Sequence, residues 1–248
     1  MVTIAGDRRL DADLADHLAS QSFACTSELD RVGLELEWLV YDRSDLDRRI
    51  GPDDLVALAE RGGPVAPGVT CSPEPGGQVE LDTPPTVLED GVALARAGSS
   101  VLHRRLRDEG LTPVAVGVDP HRRPHNLLDV PRYRAMEATF AARGPDGVAM
   151  MANTAAMQVN IDLDPDGERW RLVHQLGPLL VAAFANSPVG PDGGTTHKSH
   201  RLDIWSRIDP SRTAPVPHDG DPARAWLRYA LDANVLLIRR EGAATAVE

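Results

Sequence analysis

The chain has 248 residues, 42% of them hydrophobic, 25% charged and only 4% aromatic, with a formal net charge of −11. That length allows one large domain or two small ones, with a sizeable core built mainly from Leu, Val and Ala. The acidic balance argues against nucleic acid as the main partner, because phosphate binding needs a surplus of Lys and Arg; it suits plain solubility or an acidic cleft for divalent cations.

In chain order, residues 11–24 read as an amphipathic helix, and the strictly alternating Val32–Tyr41 as a strand. Pro52-Asp53-Asp54 opens a short helix to about Arg61, and a Gly/Pro-rich stretch covers 62–77. Gln78–Asp82 is extended, and 86–110 has the period of a long surface helix closed by Gly110. Val114, Val116 and Val118 predict another strand stopped by Asp119-Pro120, and 121–130 is a polar loop. A helix is expected over Arg132–Ala142, a strand over Ala156–Leu163 and a largely apolar helix over Gly167–Asn186. The Gly-rich loop Gly190–Thr196 precedes a mixed segment around Arg201–Arg207. Asp221–Asp232 reads as a helix with Asp221 as N-cap and Pro222 at its first position, and Asn234–Arg239 as a last strand. No repeat and no linker stands out, so one domain over 1–248 is expected. Its fold class is α+β, with helices covering one face of a largely antiparallel sheet.

Three strands share a pattern. Val32, Leu34, Leu36, Trp38 and Val40 point one way, and Glu35 and Glu37 the other. Val79 and Leu81 oppose Gln78, Glu80 and Asp82; Met157, Val159, Ile161 and Leu163 oppose Gln158, Asn160 and Asp162. Side chains two apart share a face, roughly 6.6–7 Å apart along the strand. Any one of these strands reads as the solvent face of an ordinary sheet. Such a face mixes in cations, because like charges on neighbouring strands repel, and none stands in these rows. Together they predict a field of carboxylate and amide oxygens, which selects hard cations such as Mg²⁺ or Mn²⁺.

Several segments then resemble one family. Gly33-Leu34-Glu35-Leu36-Glu37 is similar to the G-x-E-x-E strand of glutamate–cysteine ligases, and Glu74-Pro75-Gly76-Gly77-Gln78-Val79-Glu80-Leu81 to their E-P-G-G-Q-x-E-L segment. Arg132-Tyr133-Arg134-Ala135-Met136 resembles R-Y-x-x-M; Met150-Met151 with Gln158-Val159-Asn160-Ile161-Asp162 resembles M-M…Q-V-N-x-D. Phe184-Ala185-Asn186-Ser187-Pro188 matches F-A-N-S-P, and Arg201 to Trp205 with Asp209-Pro210-Ser211-Arg212-Thr213 looks like R-x-x-I-W…D-x-x-R-T. The segments run in family order over about residues 30–215 and are most similar to ligases of ergothioneine-producing bacteria.

The resemblance implies a glutamine-synthetase-like catalytic sheet and an ATP-dependent reaction. ATP phosphorylates the γ-carboxylate of glutamate, and the cysteine amine displaces phosphate to give γ-glutamylcysteine. It implies Mg²⁺ or Mn²⁺ held by Glu35, Glu37, Glu74 and Glu80, with Gln158 beside the metal. Arg132 and Arg212 are implied to bind glutamate or its acyl phosphate, as an Arg fork matches a carboxylate bidentately. Arg201 and Asn160 join this substrate-binding set; Arg201 could instead pair with Asp203. Trp205 is implied to line the pocket, with simple core packing as the alternative. Nucleotide-binding residues do not emerge. Two further readings are another carboxylate–amine ligase of the superfamily and a non-catalytic half-length relative. Relatives run far past residue 248, so the chain is expected to be an amino-terminal part, poorly active alone and prone to self-association. Cys25 and Cys71 lack CxxC spacing, and no signal peptide or membrane span is visible; a reducing cytoplasm is expected, with no membrane partner.

Overall fold

The eleven-residue strand Val32–Asp42 is paired along both edges, and its two faces differ in polarity. Residues 3–4, 8–9, 12–24, 30–188, 197–216, 220–240 and 243–246 are described in this computed structural model. Short strands β1 (Thr3–Ile4) and β2 (Arg8–Arg9) precede helix α1 (Ala12–Ser22). Then come β3 (Val32–Asp42), α2 (Pro52–Glu60), β4 (Thr70–Pro73), β5 (Gln78–Asp82) and α3 (Leu88–Asp108). β6 (Leu111–Val114), α4 (Pro131–Arg143), α5 (Asp146–Asn153), β7 (Met157–Ile161) and α6 (Glu168–Phe184) follow. Last are α7 (His200–Ser206), α8 (Pro210–Thr213), α9 (Pro222–Asp232) and strands β8 (Leu237–Arg240) and β9 (Ala243–Ala246).

The chain forms two compact units. A sheet unit takes Asp30–Ile161, Ala185–Ile208 and Val235–Glu248; a helical unit takes Met1–Leu29, Asp162–Phe184 and Asp209–Asn234. In the sheet unit, β3 pairs antiparallel with β5 on one edge and, on the other, with β7 along its first half and β6 along its second. β4 extends the sheet beyond β5, also antiparallel. Trp38, Val40, Val79 and Leu81 form the apolar face and pack under Leu55, Leu58 and Ala59 of α2 and Leu102 and Leu106 of α3. Val40, Leu81, Leu102 and Leu106 are fully buried, and burying each such side chain is worth about 1.5–3 kcal/mol. Gly98 lets α3 approach the sheet, since a Cβ there would stand 2.9 Å from the Leu81 side chain.

On the opposite face, the second half of β3 is apolar too. Leu39 and Tyr41 pack with Ala155, Val114 and Val116. Behind them lies a buried polar knot: the Tyr41 hydroxyl donates to Asp119 at 2.6 Å, and Arg122 donates to Asp119 at 2.7 Å and to the Val40 carbonyl at 2.9 Å. Hydrogen bonds from Tyr41, Arg122 and His121 outweigh burial and hold the Asp119 carboxyl below its ordinary range. Only the first half of β3 is left for polar chemistry.

The helical unit gathers α1, α6, α8 and α9. Trp170 stands between Phe23 and Trp226 with ring centroids 5.3 and 6.2 Å away, and Trp226 stacks on Tyr229 at 5.7 Å. Asp221 caps α9 by accepting from the Ala223 amide at 2.9 Å, with Pro222 at the first helical position as the sequence predicts. No helix among the described residues is long and apolar enough to cross a membrane.

Several expectations change. The strand anticipated through Val118 ends at Val114, because β7 and the Ala155–Ala156 segment take the rest of that β3 edge; Val118 only bridges Thr154. The Gly/Pro-rich stretch hides β4, and the mixed segment around Arg201 is helix α7, capped by the Ser199 side chain. The apolar row of β7 is not packed under helices: Met157, Val159 and Ile161 are 65%, 53% and 45% exposed. Cys71 is half-buried against the core, where burial pushes its thiol up to about 11; Cys25 and the loop Gly190–Thr196 lie outside the described residues.

Candidate functional site

Directly opposed residues in antiparallel strands share a face, so the registers assemble two rows across the polar half of the sheet. One row reads Thr70, Asp82, Glu35, Gln158; the next reads Ser72, Glu80, Glu37. Each row starts with a hydroxyl and continues in two carboxylates, and the Gln158 amide closes the first row. No Lys or Arg stands in either row. Ligand oxygens of Glu35, Glu80 and Asp82 all lie within 4.8 Å of one another.

The edges orient these acids. Asn160 donates to Glu35 at 2.7 Å, and the Ala156 amide donates to Glu37 at 2.9 Å. Thr70 and Ser72 hydroxyls stand 3.4 Å from Asp82 and Glu80. Glu74 enters from the turn between β4 and β5, whose ends are tied by Glu74 N–H to Gln78 carbonyl at 2.8 Å and Gly77 N–H to Glu74 carbonyl at 2.9 Å. Gly77 has φ +81°, a conformation that favours glycine. The other glycine of the turn, Gly76, is required by space: a Cβ there would sit 1.8 Å from the Ala152 carbonyl oxygen.

Burial and mutual repulsion are written into the titration of the acids. Burial first, then Glu80, Glu37 and Asp82, pushes Glu74 up to about 7. Burial, then Asp82, Glu37 and Glu35, does the same to Glu80, also to about 7. Glu37 and Asp82 are raised as well, by burial first and then by Glu35. A carboxylate cluster that resists ionisation in isolation is stabilised by a cation. Oxygen donors spaced this way fit a hard divalent ion, whose opposite octahedral ligands stand about 4 Å apart. The residues present therefore suit Mg²⁺ or Mn²⁺.

Two arginines border the acids. Arg201 leans over the Trp205 ring, its guanidinium carbon 5.2 Å from the ring centroid, and lies close enough to Glu37 to offset part of that acid's rise. Asp203, the alternative partner of Arg201, bonds Arg207 instead. The Nε atom of Arg201 and the indole nitrogen of Trp205 are buried without a hydrogen-bond partner among the described residues. Trp205 belongs to neither core cluster. Arg132 is exposed at the start of α4 and pulls Glu74 down electrostatically, and the adjacent Tyr133 phenol is raised by burial and by Glu74.

Of the residues the sequence singled out, Glu35, Glu37, Glu74, Glu80, Gln158, Asn160, Arg132, Arg201 and Trp205 all lie in the sheet unit. Arg212 lies in the helical unit, where it donates to the Asn234 carbonyl and stands 3.9 Å from Asp209. Asp82, which stands with Glu35 and Glu80 in the carboxylate cluster, is not among the site residues that the sequence singles out. Asp82 shares the parity of Glu80 but falls one residue beyond the matched motif. A separate cavity of about 510 Å³ in the sheet unit is walled by Val116, Pro145, Pro188 and Ile204 and lined by none of the predicted site residues. Its Arg122 and Arg207 are already paired with Asp119 and Asp146.

Residues 31–245 match the model of glutamate–cysteine ligase family 2. The chain is 39% identical over 246 residues to glutamate–cysteine ligase EgtA of Mycobacterium tuberculosis, an alignment covering 92% of this chain and 56% of that protein. It is 40% identical over 235 residues to EgtA of Mycolicibacterium smegmatis, covering 90% and 55%. The chain thus spans about half the length of these curated relatives. The fold also matches the crystal structure of a Francisella tularensis glutamate–cysteine ligase in complex with AMP, with TM-score 0.55 and 14% identity over 84% of this chain and 48% of that one.

Proposed function

The chain belongs to glutamate–cysteine ligase family 2, and from that membership we propose that the protein joins the γ-carboxylate of L-glutamate to the amine of L-cysteine, using ATP. The γ-phosphoryl group of ATP passes to a γ-carboxylate oxygen of glutamate, releasing ADP. The cysteine amine then attacks the acyl carbon, loses its proton, and phosphate leaves to give γ-glutamylcysteine. The observation that carries this reading is the oxygen-lined face of β5, β3 and β7, built from the same segments that resemble the family's motifs.

In this reading Glu35, Glu80 and Asp82 hold a divalent cation, with Glu37, Glu74 and Gln158 as neighbouring donors. The cation, when bound, neutralises phosphate oxygens and favours in-line transfer. The protein's own groups orient: Asn160 fixes Glu35, and the Ala156 amide fixes Glu37. Arg201 and Arg132 grip the carboxylates of glutamate or its acyl phosphate, and Trp205 backs Arg201. The free Cys71 thiol suits a reducing compartment, and the likeness of the motifs to those of ligases from ergothioneine-producing bacteria supports a low-molecular-weight thiol pathway of that type.

Phosphate release with ATP, glutamate and a panel of amines tests the reading. Release that depends on cysteine, with γ-glutamylcysteine as product, is expected. Release with unrelated amines equal to that with cysteine contradicts it; a low rate from residues 1–248 alone does not, since the chain spans about half the length of its relatives.

A further inference from the structure

Arg49, in the loop between β3 and α2, is half-buried and has an unusual set of partners. Its guanidinium donates to the carbonyls of Gly76 and Arg123 and, at 3.2 Å, to the side-chain oxygen of Asn153. Among the described residues none of its hydrogen-bond acceptors is a carboxylate. The three acceptors belong to three segments far apart in sequence: the turn after Glu74, the loop after Asp119, and the end of α5. Asn153 in turn donates to the Asp119 and Arg122 carbonyls, at 3.2 and 3.0 Å. A cation desolvated against carbonyls alone is a costly way to gain stability. What it gains is geometry, because a planar fork fixes several acceptors at once.

The turn it grips is tied at every residue. The Pro75 carbonyl accepts from Leu127 N–H at 2.6 Å, and the Gly76 N–H donates to the Gln78 side chain at 2.8 Å. Gln78 is itself anchored to the Thr154 carbonyl at 2.8 Å. Glu74 stands at one end of this turn and Glu80 two residues past its other end.

We infer that Arg49 is a positioning residue for the cation site: by clamping the Gly76 carbonyl against the end of α5, it holds the Glu74–Gln78 turn so that Glu74 and Glu80 face the same position. The inference rests on the divalent-cation reading above. Outer groups that orient metal ligands typically change affinity 10–100-fold when removed.

The test is Mn²⁺ affinity by electron paramagnetic resonance, read on protein shown by circular dichroism to be folded. Arg49→Gln should bind Mn²⁺ about tenfold more weakly than wild type, and Arg49→Lys should recover part of the loss. A folded Arg49→Gln with wild-type Mn²⁺ affinity and only a lowered melting temperature would make Arg49 merely structural and overturn the inference. Where Arg49→Gln does not fold, Asn153→Ala decides: it removes one of the three acceptors and should weaken Mn²⁺ binding severalfold, and unchanged affinity would overturn the inference. Glu80→Gln separates the two claims. If wild type and Glu80→Gln bind Mn²⁺ alike, the cation reading itself has failed, whatever Arg49 does.

Discussion

Glu37 opposes Glu80 and Glu35 opposes Asp82 in the register, and like charges directly across two strands destabilise a sheet. The folded protein carries that cost in the absence of a cation. Glu80 ordinarily titrates near 4.5 and is pushed up to about 7 in the fold. A carboxyl whose folded value is raised favours folding below the unfolded value and loses that contribution as pH rises through the folded one. The melting temperature of metal-free Glu80→Gln, relative to wild type, should therefore rise between pH 4.5 and pH 7 and exceed it above that window. A flat difference across the window would remove the repulsion account. Asp82→Asn should weaken Mg²⁺ binding without harming the metal-free fold; unaltered binding by calorimetry would place Asp82 outside the ligand set. Arg201→Lys should behave like Arg201→Ala, because losing a charge-assisted fork costs about 1.5–3 kcal/mol, roughly ten- to hundredfold in kcat/KM for glutamate; a fully active lysine variant would show that the fork is not used. Glu35, Glu37 and Glu80 were legible from strand parity alone. Arg49 was not, because its acceptors are carbonyls and an amide brought together only by the fold.

At the level of elements, the sheet reads from alternation where one face is buried and the other polar, as in β3 and β5. β4 lacks that signal: Cys71 is flanked by Thr70 and Ser72, and Pro73 closes the strand, so it forms only because β5 offers an edge. Helix α5 is obscured by Gly147, which is needed because a Cβ there would meet the Phe140 ring at 2.5 Å. α7 is too short for a clear period and rests on the Ser199 cap, 3.3 Å from the Leu202 amide. The packing of α3 gives a direct test. Leu102→Ala should cost about 2–5 kcal/mol by the cavity it opens, measured by urea unfolding, and a loss under about 1 kcal/mol would mean that α3 is not the cover of the sheet. Gly76→Ala should cost the turn its seat against Ala152, so that Mn²⁺ binding falls even in molecules that remain folded.

For the whole molecule, the net charge of −11 has a local meaning, since part of it is concentrated on one sheet face, where the proposed cation would compensate it. Anything that binds only the folded state stabilises it, by about 2.7 kcal/mol at a hundred times its dissociation constant. Mg²⁺ should thus raise the melting temperature more at pH 8 than at pH 5, where Glu74 and Glu80 hold their protons. The measurement that bears most directly on the central claim is a Mn²⁺ titration of wild type against a variant carrying Glu35→Gln, Glu80→Gln and Asp82→Asn together. The proposed cation site predicts saturable binding to wild type, loss of that binding in the variant, and a variant that folds at least as stably without metal. Equal Mn²⁺ binding by both proteins would contradict it.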